Sequence, residues 1–138
     1  MNLNLIKSLP DYLAPHELKP YFLEVLKIKF PNNLIDKEQL LEALWELSIR
    51  QWHTYETIEM ELKDNLEDWL IKNFSGIYSK HLVELVGGII GMLGLATAFV
   101  YFHEVYTKNS FPQYIREEFE KIIKEYQTGI DDPFADLK

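Results

Sequence analysis

Cysteine is absent from the 138 residues. This excludes disulfides, thiolate metal sites and cysteine nucleophiles. Basic clusters are missing too. Lys and Arg are scattered along a chain of formal net charge −8, so nothing tracks a phosphate backbone or an anionic bilayer, and direct nucleic-acid binding is excluded as an expectation. The first ten residues carry one Lys and too short an apolar stretch before Pro10 for a signal-peptide core, so no export by that route is expected. A cytoplasmic location is the expectation. No Gly-x-Ser-x-Gly elbow occurs, and the serines fall at helix caps or polar turns, so nucleophilic catalysis has no support.

What the chain does have is apolar residues at helical spacing. With 47% hydrophobic residues, a chain of this length buries a self-sufficient core. The patterning predicts an all-α, single-domain antiparallel helical bundle of about five helices over 1–138, built around a glycine-rich apolar central helix. Residues 1–19, broken by Pro10 and Pro15 and followed by Pro20, read as irregular. Residues 130–138 read as a flexible acidic tail.

Pro20 suits the first turn of a helix reaching Phe30, where Pro31 stops it. Asp36 is an N-cap, with Gln39 completing a capping box. A second helix then runs through Leu40, Leu44 and Leu47, with Glu38, Glu42, Glu46 and Arg50 on its solvated face. Because neither Gly nor Pro interrupts 32–75, this helix is expected to continue past Tyr55 to Leu62, with a new cap at Asp64 or Asn65. Residues 57–62 alternate as a half-buried strand would, but no second strand exists for them to pair with. A last amphipathic helix follows Pro112, buries Ile115, Phe119 and Ile122, and closes at Gly129. Trp45, Trp52 and Trp69 fall on apolar stripes and read as aromatic core.

The unusual segment is 79–103, expected as one helix capped by Ser79. It contains four of the six glycines, and its 18 residues 85–102 carry no charge. That run is about 27 Å long as a helix, the lower limit for a membrane span. The Gly87-x-x-x-Gly91 pair favours close helix approach in lipid. Against a span stand the glycines, the lack of basic flanks and the wide apolar faces of the other helices, which need a common partner in water. The balance favours a buried core helix.

Gly87, Gly88, Gly91, Gly94 and Ala98 form a groove of small residues along it. Interior glycines cost roughly 0.8–1 kcal/mol each relative to alanine, so close packing must offset several kcal/mol. The Gly88-x-x-Gly91-x-x-Gly94 spacing is not a phosphate loop, since it lies inside an apolar helix with no lysine near it.

Two His-x-x-Glu pairs, His53 with Glu56 and His81 with Glu84, are each placed on one helical face and would offer four N and O ligands to zinc or iron if their helices were neighbours. Their order is the reverse of the Glu-x-x-His of di-iron bundles, and local hydrogen bonding at the bundle rim is the favoured reading. No cofactor is called for.

These features together favour a non-catalytic acidic helical protein-interaction module of the immunity, antitoxin or regulatory-adaptor type. It is expected to have a protein partner, with self-association through the glycine groove as one route. Two alternatives are a metal-binding helical-bundle enzyme using the His/Glu pairs and a membrane-anchored accessory protein with its span at 85–102.

Overall fold

The computed structural model describes residues 3–30, 35–74, 79–127 and 129–130. Among these, all regular structure is helical: α1 (Leu3–Lys7), α2 (Pro15–Leu26), α3 (Lys37–Trp52), α4 (Met60–Phe74), α5 (Lys80–Leu93), α6 (Ala96–Lys108) and α7 (Gln113–Tyr126). The expected tail, beyond residue 130, lies outside the described residues.

The N-caps expected at Asp36 and Ser79 form. The Asp36 carboxylate accepts from the Gln39 N–H at 3.3 Å, and the Ser79 hydroxyl accepts from the Leu82 N–H at 3.1 Å. Each satisfies an N–H that the first helical turn leaves without a partner. Elsewhere the boundaries differ from expectation. In α2, Pro15 and not Pro20 opens the helix, and the Glu17 carboxylate reaches back to the Ala14 N–H at 3.1 Å. Pro20 therefore sits inside α2, where one helical hydrogen bond is missing but Leu18, Phe22 and Val25 remain fully buried. Helix α2 also stops at Leu26, short of Phe30.

The long rod expected past Tyr55 does not form; α3 ends at Trp52. The Thr54 hydroxyl donates to the Gln51 carbonyl at 2.6 Å and accepts from the Glu56 N–H at 3.2 Å, so a side chain takes over backbone groups that a continuing helix would pair. Helix α4 then runs unbroken through Asp64 and Asn65, where a new cap was expected. The alternating 57–62 segment forms no strand, and its second half is the first turn of α4.

The largest departure is at Gly94. The expected helix over 79–103 is two helices, because Gly94 adopts a left-handed conformation (φ 67°, ψ 40°) and the Leu95 N–H returns to the Ile90 carbonyl at 3.0 Å. A side chain there would be strained, and glycine makes the turn without penalty. Helix α6 starts anew at Ala96 with no cap of its own. In place of a local cap, the buried Glu67 of α4 accepts from the Ala98 N–H at 2.8 Å. This break also divides the uncharged run 85–102. Among the described residues, no helix is long and apolar enough to cross a membrane, which counts against the alternative of a span at 85–102.

Helix α5 packs mainly on α3 and α7. The glycines explain how closely. A Cβ on Gly87 would lie 2.8 and 2.9 Å from Cγ2 and Cγ1 of Ile122, and nearer still to its Cδ1. One on Gly91 would overlap Cζ and both Cε atoms of Tyr126, and one on Gly88 would lie 2.8 Å from Nε1 of Trp45. The small-residue groove is thus filled by α7 and by Trp45 of this same chain. Gly94 belongs to the turn, and Ala98 belongs to the first turn of α6. Beyond α5, Phe102 and Phe119 meet at 4.7 Å between ring centroids and, with Phe74 stacked on Phe102, join α4, α6 and α7.

Candidate interaction site

Arg50, expected on a solvated face, is the anchor of one end of the molecule. Its pairing with Glu46 forms as the spacing predicts, at 2.9 Å, yet the guanidinium is buried. Its Nε donates to the Pro10 carbonyl at 3.0 Å and its Nη2 to the Leu9 carbonyl at 2.8 Å, while Nη1 also reaches the Glu46 carbonyl. A proline-containing segment leaves carbonyls without helical partners, and the planar five-donor fork of arginine satisfies several at once. The segment ahead of α2 is thereby tied to the C-terminal half of α3.

The connection from α3 to α4 is built just as firmly. Gln51, itself buried, donates from Nε2 to the Glu56 carbonyl at 2.9 Å, complementing the two Thr54 bonds. Between these fixed points Tyr55 adopts φ 57°, and it is the one described residue other than glycine with positive φ. For a bulky side chain this conformation costs about 1–2 kcal/mol. The turn drives the Tyr55 side chain outward, to 66% exposure, beside Trp52 at 6.1 Å between ring centroids. Met60 follows on the first turn of α4 at 73% exposure. Tyr12, also exposed, directly follows Asp11, whose carbonyl lies 3.4 Å from His53 Nδ1.

A cleft of about 400 Å³ opens between α2 and this loop, lined by His16, Lys19, Glu56, Thr57 and Glu59 over a floor that includes Ile58 and Leu62. Lys19 pairs with Glu59 across it at 2.6 Å, and that hydrogen bond together with the nearby carboxylate charge raises the lysine pKa above its ordinary value.

The four ligands expected from the His/Glu pairs are not brought together. His53 caps the C-terminus of α3, and Glu56 lies in the loop after it, exposed. His81 instead meets α3 near its start: Nε2 lies 3.1 Å from Glu42 Oε1 and 3.6 Å from Glu38 Oε1. Since Glu42 and His53 are eleven residues apart on one helix, the two histidines belong to regions about 16 Å apart. Glu84 borders a second cleft, of about 270 Å³, shared with Lys7, Glu42, Trp45 and His81.

Lys7 completes that cluster, with its ammonium 3.1 Å from Glu42 Oε2. Hydrogen bonds from His81 and then Lys7 hold the Glu42 pKa below its ordinary value. The i, i+4 spacing of Glu38 and Glu42 on the expected solvated face is the signal the sequence offers; that His81 faces them follows from packing across 39 residues of chain.

Compared with known proteins, the chain matches no family model, no curated protein sequence and no solved structure.

Proposed function

We propose that the protein is a non-catalytic interaction module of the immunity, antitoxin or regulatory-adaptor kind, and that it engages a basic protein partner with the α3–α4 loop and the cleft beside it. The observation that carries this reading is Tyr55: a large aromatic held at positive φ and two-thirds exposed by a turn whose flanking backbone is tied down by Gln51 and Thr54. Strained conformations of this kind persist where the surroundings over-determine them, and they concentrate at functional positions. Tyrosine is also among the residues that dominate binding energy at protein interfaces, because it supplies a large contact area with few rotatable bonds. A fixed loop adds to this by lowering the ordering penalty on association.

The charge of the partner follows from the surroundings. Glu56, Glu59 and Glu61 lie on or next to the loop and are exposed, and the whole chain carries −8. Such a surface accelerates encounter with a basic partner and repels acidic ones.

The test uses the intact chain, immobilised and exposed to cell extract at low salt. Tyr55→Asn removes the ring while keeping a residue that tolerates the left-handed conformation. The expected result is a protein retained by the wild type and by the distant control Tyr114→Ser, but lost with Tyr55→Asn and eluted by salt. Failure to retain any protein, or equal retention by wild type and Tyr55→Asn, would overturn the proposal.

A further inference from the structure

We propose that Glu38, Glu42 and His81 form a binding site for a zinc-class divalent cation that clips α5 to α3. This lies at the other end of α3 from the Tyr55 loop and does not depend on the interaction reading. One ligand atom from each of the three residues falls within 4.8 Å of the others. More tellingly, His81 Nε2 stands 3.1 Å from one carboxylate oxygen and 3.6 Å from the other. Bonds of about 2.0–2.1 Å from nitrogen and oxygen to a tetrahedral zinc place neighbouring ligands roughly 3.3 Å apart. The two nitrogen-to-oxygen separations bracket that edge, and the carboxylate oxygens lie within 4.8 Å of each other, so side-chain rotation alone brings the three ligands onto one ion.

The positions are set by regular structure. Glu38 and Glu42 are one turn apart on α3, hence on one face, and His81 is the second residue of α5. All three are partly accessible, which leaves the remaining coordination positions to water. Imidazole with two carboxylates is a donor set for zinc and its late first-row neighbours, and the nitrogen ligand discriminates against magnesium and calcium. Two carboxylates with a neutral imidazole leave a charge of −2. Lys7 offsets half of this, and Glu84 restores it from the next turn of α5. That surplus outweighs the opposing half-charge of the α5 N-terminus.

Lys7 provides a diagnostic. It holds Glu42 Oε2, whereas Oε1 of the same carboxylate faces His81. An ion on Oε1 and the ammonium on Oε2 therefore share one carboxylate and repel each other. Removing the lysine charge must tighten metal binding, although it removes an ion pair from the protein.

The experiment is calorimetric titration of the full chain with Zn²⁺, repeated with Co²⁺ to read the coordination number from its visible absorption. The expected result is one ion per chain with four- or five-coordinate cobalt, no competition from Mg²⁺, and weakening of about tenfold or more in His81→Asn and Glu38→Gln. Lys7→Gln should tighten binding roughly three- to tenfold at low salt. His53→Asn should leave it unchanged. Circular dichroism of each metal-free variant checks the fold; should a ligand variant unfold, the Lys7→Gln result decides. Absence of saturable one-to-one binding overturns the proposal. So does binding indifferent to His81→Asn and Glu38→Gln, binding lost in His53→Asn, or binding not tightened in Lys7→Gln.

Discussion

Replacing Gly87 with alanine would stabilise an ordinary exposed helix by about 0.8–1 kcal/mol, because alanine is the better helix former. Here the sign should reverse. The new Cβ would lie within 3 Å of Cγ1 and Cγ2 of Ile122 and closer to Cδ1, so the conflict involves both branches of the side chain and cannot be relieved by moving one terminal atom. Ile122 is buried in α7, and a β-branched side chain in a helix has essentially one χ1 available. Helix α7 must therefore shift away from α5, an overpacking penalty of about 2–3 kcal/mol. The net loss is about 1–2 kcal/mol, or a fall in Tm of roughly 3–8 °C. Urea unfolding with an unchanged m-value measures it. Ile122→Ala alone should cost about 2–4 kcal/mol, and the double variant should fall short of the sum by at least about 1 kcal/mol, since the added methyl refills part of the void. A stabilised Gly87→Ala protein, or strictly additive effects, would refute the docking of α7 against these glycines. Gly88→Ala is the internal contrast: its neighbour is the half-buried Trp45 indole, which can tilt outward, so its change should be close to neutral.

Glu67→Ala should cost about 1–2 kcal/mol, with hydrogen exchange accelerated first in the opening turn of α6, because it removes the acceptor that caps that helix across 31 residues. Arg50→Met should cost about 2–4 kcal/mol and expose 8–12 to limited proteolysis, since the Leu9 and Pro10 carbonyls lose their donors; Arg50→Lys should recover little of this, having no fork. The depressed Glu42 pKa contributes stability that is fully present above the ordinary carboxylate pKa of 4.5 and is lost as pH falls through the lowered value. Below about pH 4.5, wild-type stability should therefore fall more steeply with pH than that of Glu42→Gln, as measured by urea midpoints across the acid range.

The elements legible in the sequence were those decided within one turn of chain. Asp36 and Ser79 announce helix starts because a short polar side chain and the N–H three residues on are enough to make a cap. Gly94 was visible, but it had two uses: a small residue in a packed groove, or a left-handed stop. The second prevails because α6 finds its cap in Glu67, on a helix that nothing local to Gly94 identifies. The end of α3 was hidden for the same reason. No Gly or Pro marks it, and the competing bonds come from Thr54 and Gln51, residues with several equally ordinary roles. Arg50 shows how a correct local pairing can mislead. The Glu46 contact forms, yet the residue is buried, because carbonyls 40 and 41 positions earlier complete its shell.

The same long-range ties connect the two surfaces for which roles are proposed. Lys7 meets Glu42, Leu9 and Pro10 meet Arg50, and the Asp11 carbonyl meets His53, so 7–11 follows α3 from the His81 cluster to the loop that presents Tyr55. The segment therefore offers one route by which the strap sets the conformation of the turn, a dependence that Tyr55→Asn does not test. Arg50→Met does. It cuts the segment at its midpoint while leaving Glu38, Glu42 and His81 at one end and Gln51 and Thr54 at the other. If partner retention rests on the turn itself, it should survive Arg50→Met at a temperature where the variant remains folded. If the turn depends on the strap, retention should fall together with the proteolytic protection of 8–12. Loss of retention with protection intact would contradict both routes and place the contact at Arg50's own surroundings, away from Tyr55.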